Sequence, residues 1–183
     1  EGFVFQDEDS VFNESNSLIA IYLYDETEIN KLTREKTEQK MVVGLLYIDN
    51  YEEALESIDE VRRSLLIALI DRKINKYMQG IDAIIKKLEK DKYIFIFKQK
   101  YLAQLQANKF NLLEEVRAVN IGNEMSVTIS IGMGVNAETY LTGYEYARAA
   151  MDLALGRGGD QAVIKDKEKL LYYGGKSVQV EKN

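Results

Sequence analysis

The chain has 183 residues, a mass of 21.0 kDa, 46% hydrophobic and 30% charged residues, which suits one globular domain with a few tens of residues beside it and excludes a low-complexity or disordered segment. It contains no His, Cys, Pro or Trp, so disulfides, thiolate nucleophiles, Cys- or His-held metals and imidazole bases are all excluded, and any chemistry rests on carboxylates, Lys, Arg or Tyr. A net charge of −6 and a pI near 4.9 argue against a partner that is a nucleic-acid polymer but leave a single nucleotide open.

In chain order, Gly2–Phe5 and Ser17–Tyr24 read as two strands separated by a polar loop, too few to bury a face alone. Asp25–Lys40 is highly charged, with Asp25 or Thr27 at the N-cap position and only Ile29, Leu32 and Met41 apolar, and reads as an exposed connector helix. Met41–Ile48 is apolar throughout, as a central strand buried on both faces requires. This run is the longest of its kind, well short of the roughly 20 residues that span a bilayer, and no leader-peptide pattern begins at Glu1. Tyr51–Gln79 predicts a helix broken near Ser57, with Val61, Leu65 and Leu69 on one face, Leu66, Ile70, Ile74 and Tyr77 widening it, and Gly80 ending it. Ile81–Lys87 and Tyr93–Phe97 predict a hairpin with a charged tip; Lys100–Ala118 a single helix; Ser126–Gly134 a strand; Gly143–Leu155 a helix; Ala162–Lys165 the last main strand, with a short apolar piece at Leu170–Tyr173. This order predicts an α/β sandwich, α+β in layout, with a mixed central sheet flanked by helices.

Four segments carry a resemblance: Leu46-Tyr-Ile-Asp-Asn-Tyr51, the hairpin Glu89-Lys-Asp-Lys-Tyr93, Val127-Thr-Ile-Ser-Ile-Gly132 and Met151-Asp-Leu-Ala-Leu155. In this order of elements they resemble the GGDEF domain, whose fold is similar to the palm of nucleotide cyclases, over about Met41–Lys165. With Ile48-Asp-Asn-Tyr51, Ala154-Leu-Gly-Arg-Gly-Gly-Asp-Gln-Ala162 and Tyr173-Gly-Gly-Lys176, the chain more narrowly resembles the degenerate GGDEF domain of the GdpP-type cyclic-di-AMP phosphodiesterases. The resemblance implies that residues 1–24 are the last strands of a PAS domain, 25–40 a signalling helix, 41–176 the degenerate GGDEF domain, and 177–183 the start of a linker to a DHH-type phosphodiesterase module. It also implies a bacterial membrane-anchored parent with this part in the cytoplasm, PAS and DHH-type modules as partners in the same chain, and a homodimer at full length. The Asp-His-His motif cannot lie here, since the chain has no His; manganese belongs to that other module.

Departures from the family pattern bear on chemistry. An active diguanylate cyclase holds two divalent ions with two carboxylates; the first place here is Tyr47, a poor ligand for a hard cation, while Asp49 and Asp91 remain. Asp49 has a second reading, as a cap of the following helix. Glu89 and Lys90 stand where the hairpin glycines admit the substrate, Leu55 where an Asn reads guanine, and Gly80-Ile-Asp-Ala83 offers no Arg for an inhibitory product site.

Between Lys86 and Lys100, six lysines face Glu89 and Asp91, a local excess of four positive charges that either attracts phosphate or is a solvated, edge-protecting tip. Gly156-Arg-Gly-Gly-Asp160 reads either as a helix C-terminus or as an anion nest with Arg157. Tyr22, Tyr24, Tyr47, Tyr51 and Tyr93 read as half-buried packing or as base-stacking rings.

The resulting expectation is a regulatory GGDEF-type domain, not a diguanylate cyclase, that relays PAS signals and binds or slowly hydrolyses a nucleotide, ATP before GTP. The binding set is Asp49, Asn50, Lys90, Asp91, Lys92 and Arg157, with Mg2+ on Asp49 and Asp91. The alternative is a ligand-free dimerisation and relay domain.

Overall fold

A computed structural model describes residues 27–56 and 58–174; the strands expected within 1–24 and the segment after Lys176 lie outside them. The chain divides between Lys36 and Thr37 into two units. The first contributes most of helix α1 (Thr27–Glu38), with Ile29 and Leu32 exposed on it as the charged sequence predicts.

The larger unit follows the expected order: β1 (Met41–Ile48), α2 (Tyr51–Glu56), α3 (Glu60–Gln79), β2 (Ile84–Lys87), β3 (Lys92–Lys98), α4 (Leu102–Ala107), α5 (Leu112–Arg117), β4 (Ile129–Gly134), α6 (Tyr140–Gly156), β5 (Gln161–Asp166) and β6 (Lys169–Gly174). The strands form one sheet in the order β2-β3-β1-β4-β5-β6, antiparallel except for the parallel pair β4–β5. The run from β1 to β4 is thus a split βαβ arrangement, in which β3 separates β1 from β2. Strand β1 lies between β3 and β4, which explains its apolar character at every position: Val42, Leu46 and Ile48 join the core under α3, α4 and α5, while Val43 and Leu45 meet Ala147 and Met151 of α6.

Several expectations need correction. In α3 the buried row is Leu66, Ile70, Ile74 and Met78, whereas Val61 and Leu65 are 79% and 50% exposed; both rows have helical spacing, and only the sheet decides which one faces inward. The helix expected over Lys100–Ala118 is two short helices after a 3-10 turn (Gln99–Tyr101). Lys109 and Phe110 between them have φ of 52° and 55°, and the Asn108 side chain accepts from the Phe110 N–H, an Asx turn that breaks the helix without Gly or Pro. The resulting bend drops Phe110 into the core beside Leu105, Leu113 and Val116. Strand β2 begins at Ile84, because Ile81–Ala83 form a turn with Asp82 at φ 49°, and β4 begins at Ile129 rather than Ser126.

Helix α6 sits unusually low on the sheet. A Cβ on Gly132 of β4 would lie 2.5 Å from both the Ala147 carbonyl oxygen and the Met151 nitrogen, and one on Gly134 would strike the Gly143 carbonyl. Gly132 and Gly134 on the strand therefore let its backbone touch that of α6 at Gly143, Ala147 and Met151, while Ala150 and Ala154 pack with Val163 of β5.

Candidate functional site

The C-terminal end of β1 is clipped on both sides. The Ile48 N–H donates to the Asp91 carbonyl at 2.8 Å, and the Asp49 N–H to the Thr128 carbonyl at 2.9 Å. Asn50 holds the approach to β4: its Oδ1 accepts from the Thr128 N–H at 3.0 Å and its Nδ2 donates to the Ser126 carbonyl at 2.9 Å. Both ends of that amide are thereby used in the scaffold.

Asp49 does not cap α2. Its Oδ2 accepts from the backbone N–H of Asp160 at 2.9 Å, 111 residues along the chain. Burial pushes its carboxyl above the ordinary carboxylate value; the Ser130 hydroxyl, the Asp160 amide and Thr128 oppose the rise, and the Asp160 charge adds to it. The Ser130 hydroxyl is close enough to favour the charge yet outside strict hydrogen-bond geometry, and Asp49 Oδ1 and Asp160 Oδ1 are likewise buried without a partner among the described residues. Asp160 is held from the far side by Arg117 of α5, Nη2 to Oδ2, at 2.5 Å.

The glycine turn makes this contact possible. Gly158, Gly159 and Asp160 have φ of 99°, 73° and 57°, and a Cβ on Gly159 would lie 2.8 Å from Asp49 Oδ2. The N–H groups of Arg157, Gly158 and Gly159 donate to the carbonyls of Leu153, Leu155 and Ala154, and that of Asp160 to Asp49. The helix-terminus reading therefore holds, and the anion nest does not form, because all four donors are taken. Arg157 turns to the β5–β6 side, with Nε on Gln161 Oε1 at 3.2 Å and its guanidinium 4.5 Å from the Tyr172 ring centre.

At the hairpin, each of three lysines meets a carboxylate and a ring. Lys87 donates to both Asp71 oxygens at 3.1 Å, Lys92 donates to Glu89 at 2.7 Å, and Lys90 pairs with Glu52 of α2. Their ammonium groups lie 5.1, 5.7 and 5.6 Å from the ring centres of Tyr93, Tyr47 and Tyr51 respectively. Lys98 stands at the other end of β3, roughly 20 Å away at the usual rise per residue, so the six lysines of the sequence do not form one positive patch. Tyr93 is buried with its hydroxyl on Asp71, and Tyr47 and Tyr51 are half-buried, which is the packing reading; Tyr22 and Tyr24 lie outside the described residues.

For metal chemistry, Tyr47 offers a phenol whose pKa burial pushes further up, so it stays neutral. The Asp91 charge acts on Tyr51, Tyr93 and Lys92, whereas Asp49 is set by Ser130, Asp160 and Thr128. The fold brings the Asp91 backbone to β1 but gives the two carboxylates different neighbours, and no group of three or more Asp or Glu side chains is gathered for a metal among the described residues. Leu55 packs with Ile48, Tyr51, Leu66 and Val127 around a gap of about 10 Å3.

The sequence pattern of the family described as cyclic-di-AMP phosphodiesterase GdpP-like, GGDEF domain, matches residues 46–171. The chain belongs to this family. Cyclic-di-AMP phosphodiesterase GdpP of Geobacillus thermodenitrificans is 32% identical, and cyclic-di-AMP phosphodiesterase PdeA of Listeria monocytogenes 33% identical, each over 88% of the chain; the chain spans 25% of the length of either relative. Among solved structures, the GGDEF domain of DgcB from Caulobacter crescentus in complex with c-di-GMP superposes with a TM-score of 0.58 at 16% identity, over 79% of this chain and 86% of that one. The diguanylate cyclase SiaD of Pseudomonas aeruginosa gives 0.57 at 21% identity, over 75% and 57%. These likenesses establish the GGDEF fold. Within this GdpP-like GGDEF domain, the Asp49–Asp160–Arg117 cluster is what sequence reasoning missed. The Gly-Gly-Asp ending of α6 was a visible signal for Asp160; nothing in the sequence marked Arg117.

Proposed function

We propose that this GGDEF domain is a regulatory module that makes no cyclic dinucleotide, relays signals from an upstream PAS domain to a DHH-type phosphodiesterase module in a membrane-anchored protein, and binds a nucleoside triphosphate weakly through magnesium at the hairpin end. One observation supports the non-cyclase reading: at the position that the resemblance gives to the first metal carboxylate stands a neutral phenol, half-buried beneath Lys92, and without a carboxylate ligand there the paired metals for in-line attack would not be held. Incubation of the chain with GTP and magnesium is expected to give no cyclic-di-GMP above a no-protein control. Product that disappears with Asp91→Ala would refute this.

The magnesium is assigned to Asp91; Asp49 joins it only by giving up the Asp160 amide. Lys87, Lys90 and Lys92 are already paired with Asp71, Glu52 and Glu89, and Asp91 stands beside them, so a bare triphosphate meets little net positive charge and gains from the metal. The expected affinity is weaker than micromolar, about 4 to 8 kcal/mol. The same pairing favours a second reading, the ligand-free relay domain, since each lysine already has its counter-ion. Calorimetry with millimolar ATP and magnesium separates the two.

A further inference from the structure

We infer that the open oxygens of Asp49, Ser130 and Asp160, at the turn after α6, hold a hard divalent cation of the magnesium or calcium class. Neither Tyr47 nor Asp91 is among its ligands, and it needs no triphosphate.

Four buried side-chain oxygens lack a hydrogen-bond partner among the described residues, and three of them are Asp49 Oδ1, Ser130 Oγ and Asp160 Oδ1. The sheet brings them together. β1 and β4 pair with Tyr47 opposite Ser130 and Ile48 opposite Ile129, and the Asp49 N–H donates to the Thr128 carbonyl. Asp49, Thr128 and Ser130 therefore project from one face, the face on which Leu45 and Tyr47 meet α6. Ser130 is fully buried, and its hydroxyl and the Thr128 side chain both favour the charge on Asp49. Asp160 is drawn to the same carboxylate by its own backbone N–H on Asp49 Oδ2. Gly159 permits the approach, since a Cβ there would lie 2.8 Å from Asp49 Oδ2 and 3.3 Å from Oδ1.

The donors around these oxygens are committed. Arg117 is divided between Asp160 Oδ2 and Glu114. Gln161 Nε2 donates to the carbonyls of Ala154 and Gly159, and Arg157 Nε to Gln161. Ser130 has one proton to give, whereas two carboxylate oxygens remain to be met. Charge points the same way. Ionised, Asp49 and Asp160 carry two negative charges against one positive on Arg117, and the 17-residue α6 directs the negative end of its dipole to this turn. Carboxylate and hydroxyl oxygens are the ligands that magnesium and calcium take, with water completing the shell. The Asp160 side chain, 15% exposed, leaves a way in from solvent. An ion here would join β1, β4 and the turn after α6 at one centre, a structural role and not a catalytic one.

The test is thermal unfolding of the 183-residue chain in EDTA and in millimolar magnesium, calcium or manganese chloride, at constant ionic strength and without nucleotide. At tenfold over its Kd, an ion bound only by the folded chain should raise the midpoint by about 3 to 6 °C. Ser130→Ala, which removes an oxygen without a partner, and Asp160→Asn should each cut that rise by about half or more at the same concentration. Asp91→Asn should leave the rise in place. No rise with any of the three ions at millimolar concentration would overturn the inference, as would a rise that Ser130→Ala and Asp160→Asn both keep in full. A rise abolished by Asp91→Asn would place the ion at the hairpin and overturn it too.

Discussion

Arg117→Met removes the charge that holds Asp160 from α5. The Arg117 side chain is 32% exposed and that of Asp160 15%, so the pair lies between a surface ion pair and a buried one. Exposed pairs contribute about 0 to 1 kcal/mol, and breaking a fully buried pair costs about 3 to 5 kcal/mol because a carboxylate is left without compensation. For this pair, with Asp49 alongside and its carboxyl already raised by burial and by the Asp160 charge, a loss of about 2 kcal/mol is expected. Asp160→Asn removes the stranded charge, and Asn tolerates the φ of 57° at this position. The double variant should therefore be no less stable than Asp160→Asn alone by more than about 0.5 kcal/mol. Urea unfolding of the four proteins gives the coupling directly. A loss below about 0.5 kcal/mol for Arg117→Met, or two losses that simply add, would show that the ion pair does not hold the glycine turn to α5.

Gly132→Ala places a methyl group against backbone atoms of α6 at 2.5 Å and should cost about 1 to 3 kcal/mol in urea unfolding; Gly156→Ala, which meets nothing within 4 Å, is the matched control. Asp49 titrates higher in the folded state than its ordinary value of 3.8, so the stability it contributes is complete below that pH and is lost as pH rises through its raised value. Asp49→Asn should remove that downward slope in unfolding measured from about pH 4 to 7, and an unchanged slope would assign it to another group. The Tyr77 hydroxyl is buried beside Asn108 without a hydrogen-bond partner among the described residues, and burial pushes its pKa up to about 12. Tyr77→Phe should accordingly change stability by less than about 0.5 kcal/mol, or raise it; a loss above about 1 kcal/mol would reveal a partner for that hydroxyl.

Burial that leaves no choice was legible in the sequence. Met41–Ile48 is apolar at all eight positions and became the strand covered on both faces, and the charged residues between two apolar runs marked the hairpin. The row of α3 that faces inward was not legible, because Val61 and Leu65 have the same spacing as Leu66, Ile70 and Ile74. The break at Asn108–Asn111 was hidden because it uses an Asx turn and two left-handed residues that are not glycine. At the site, local substitutions such as Tyr47 and Leu55 could be read directly. The destination of each side chain could not: Asp49 answers to a residue 111 positions away, and the hairpin lysines find Glu52 and Asp71 only once α2 and α3 are folded beside them.

The seam between β4 and α6 fixes how this domain can move. Where two backbones touch through glycine and alanine, no rotamer stands between them to absorb a displacement. Helix α6 then has one seating on the sheet, and the turn at its C-terminus, with the Asp160 amide on Asp49, is carried by the same stiff piece. With no side chain between these backbones, a shift of α6 along the sheet meets β4 directly, and the same turn ties it to the end of β1 through the Asp160 amide.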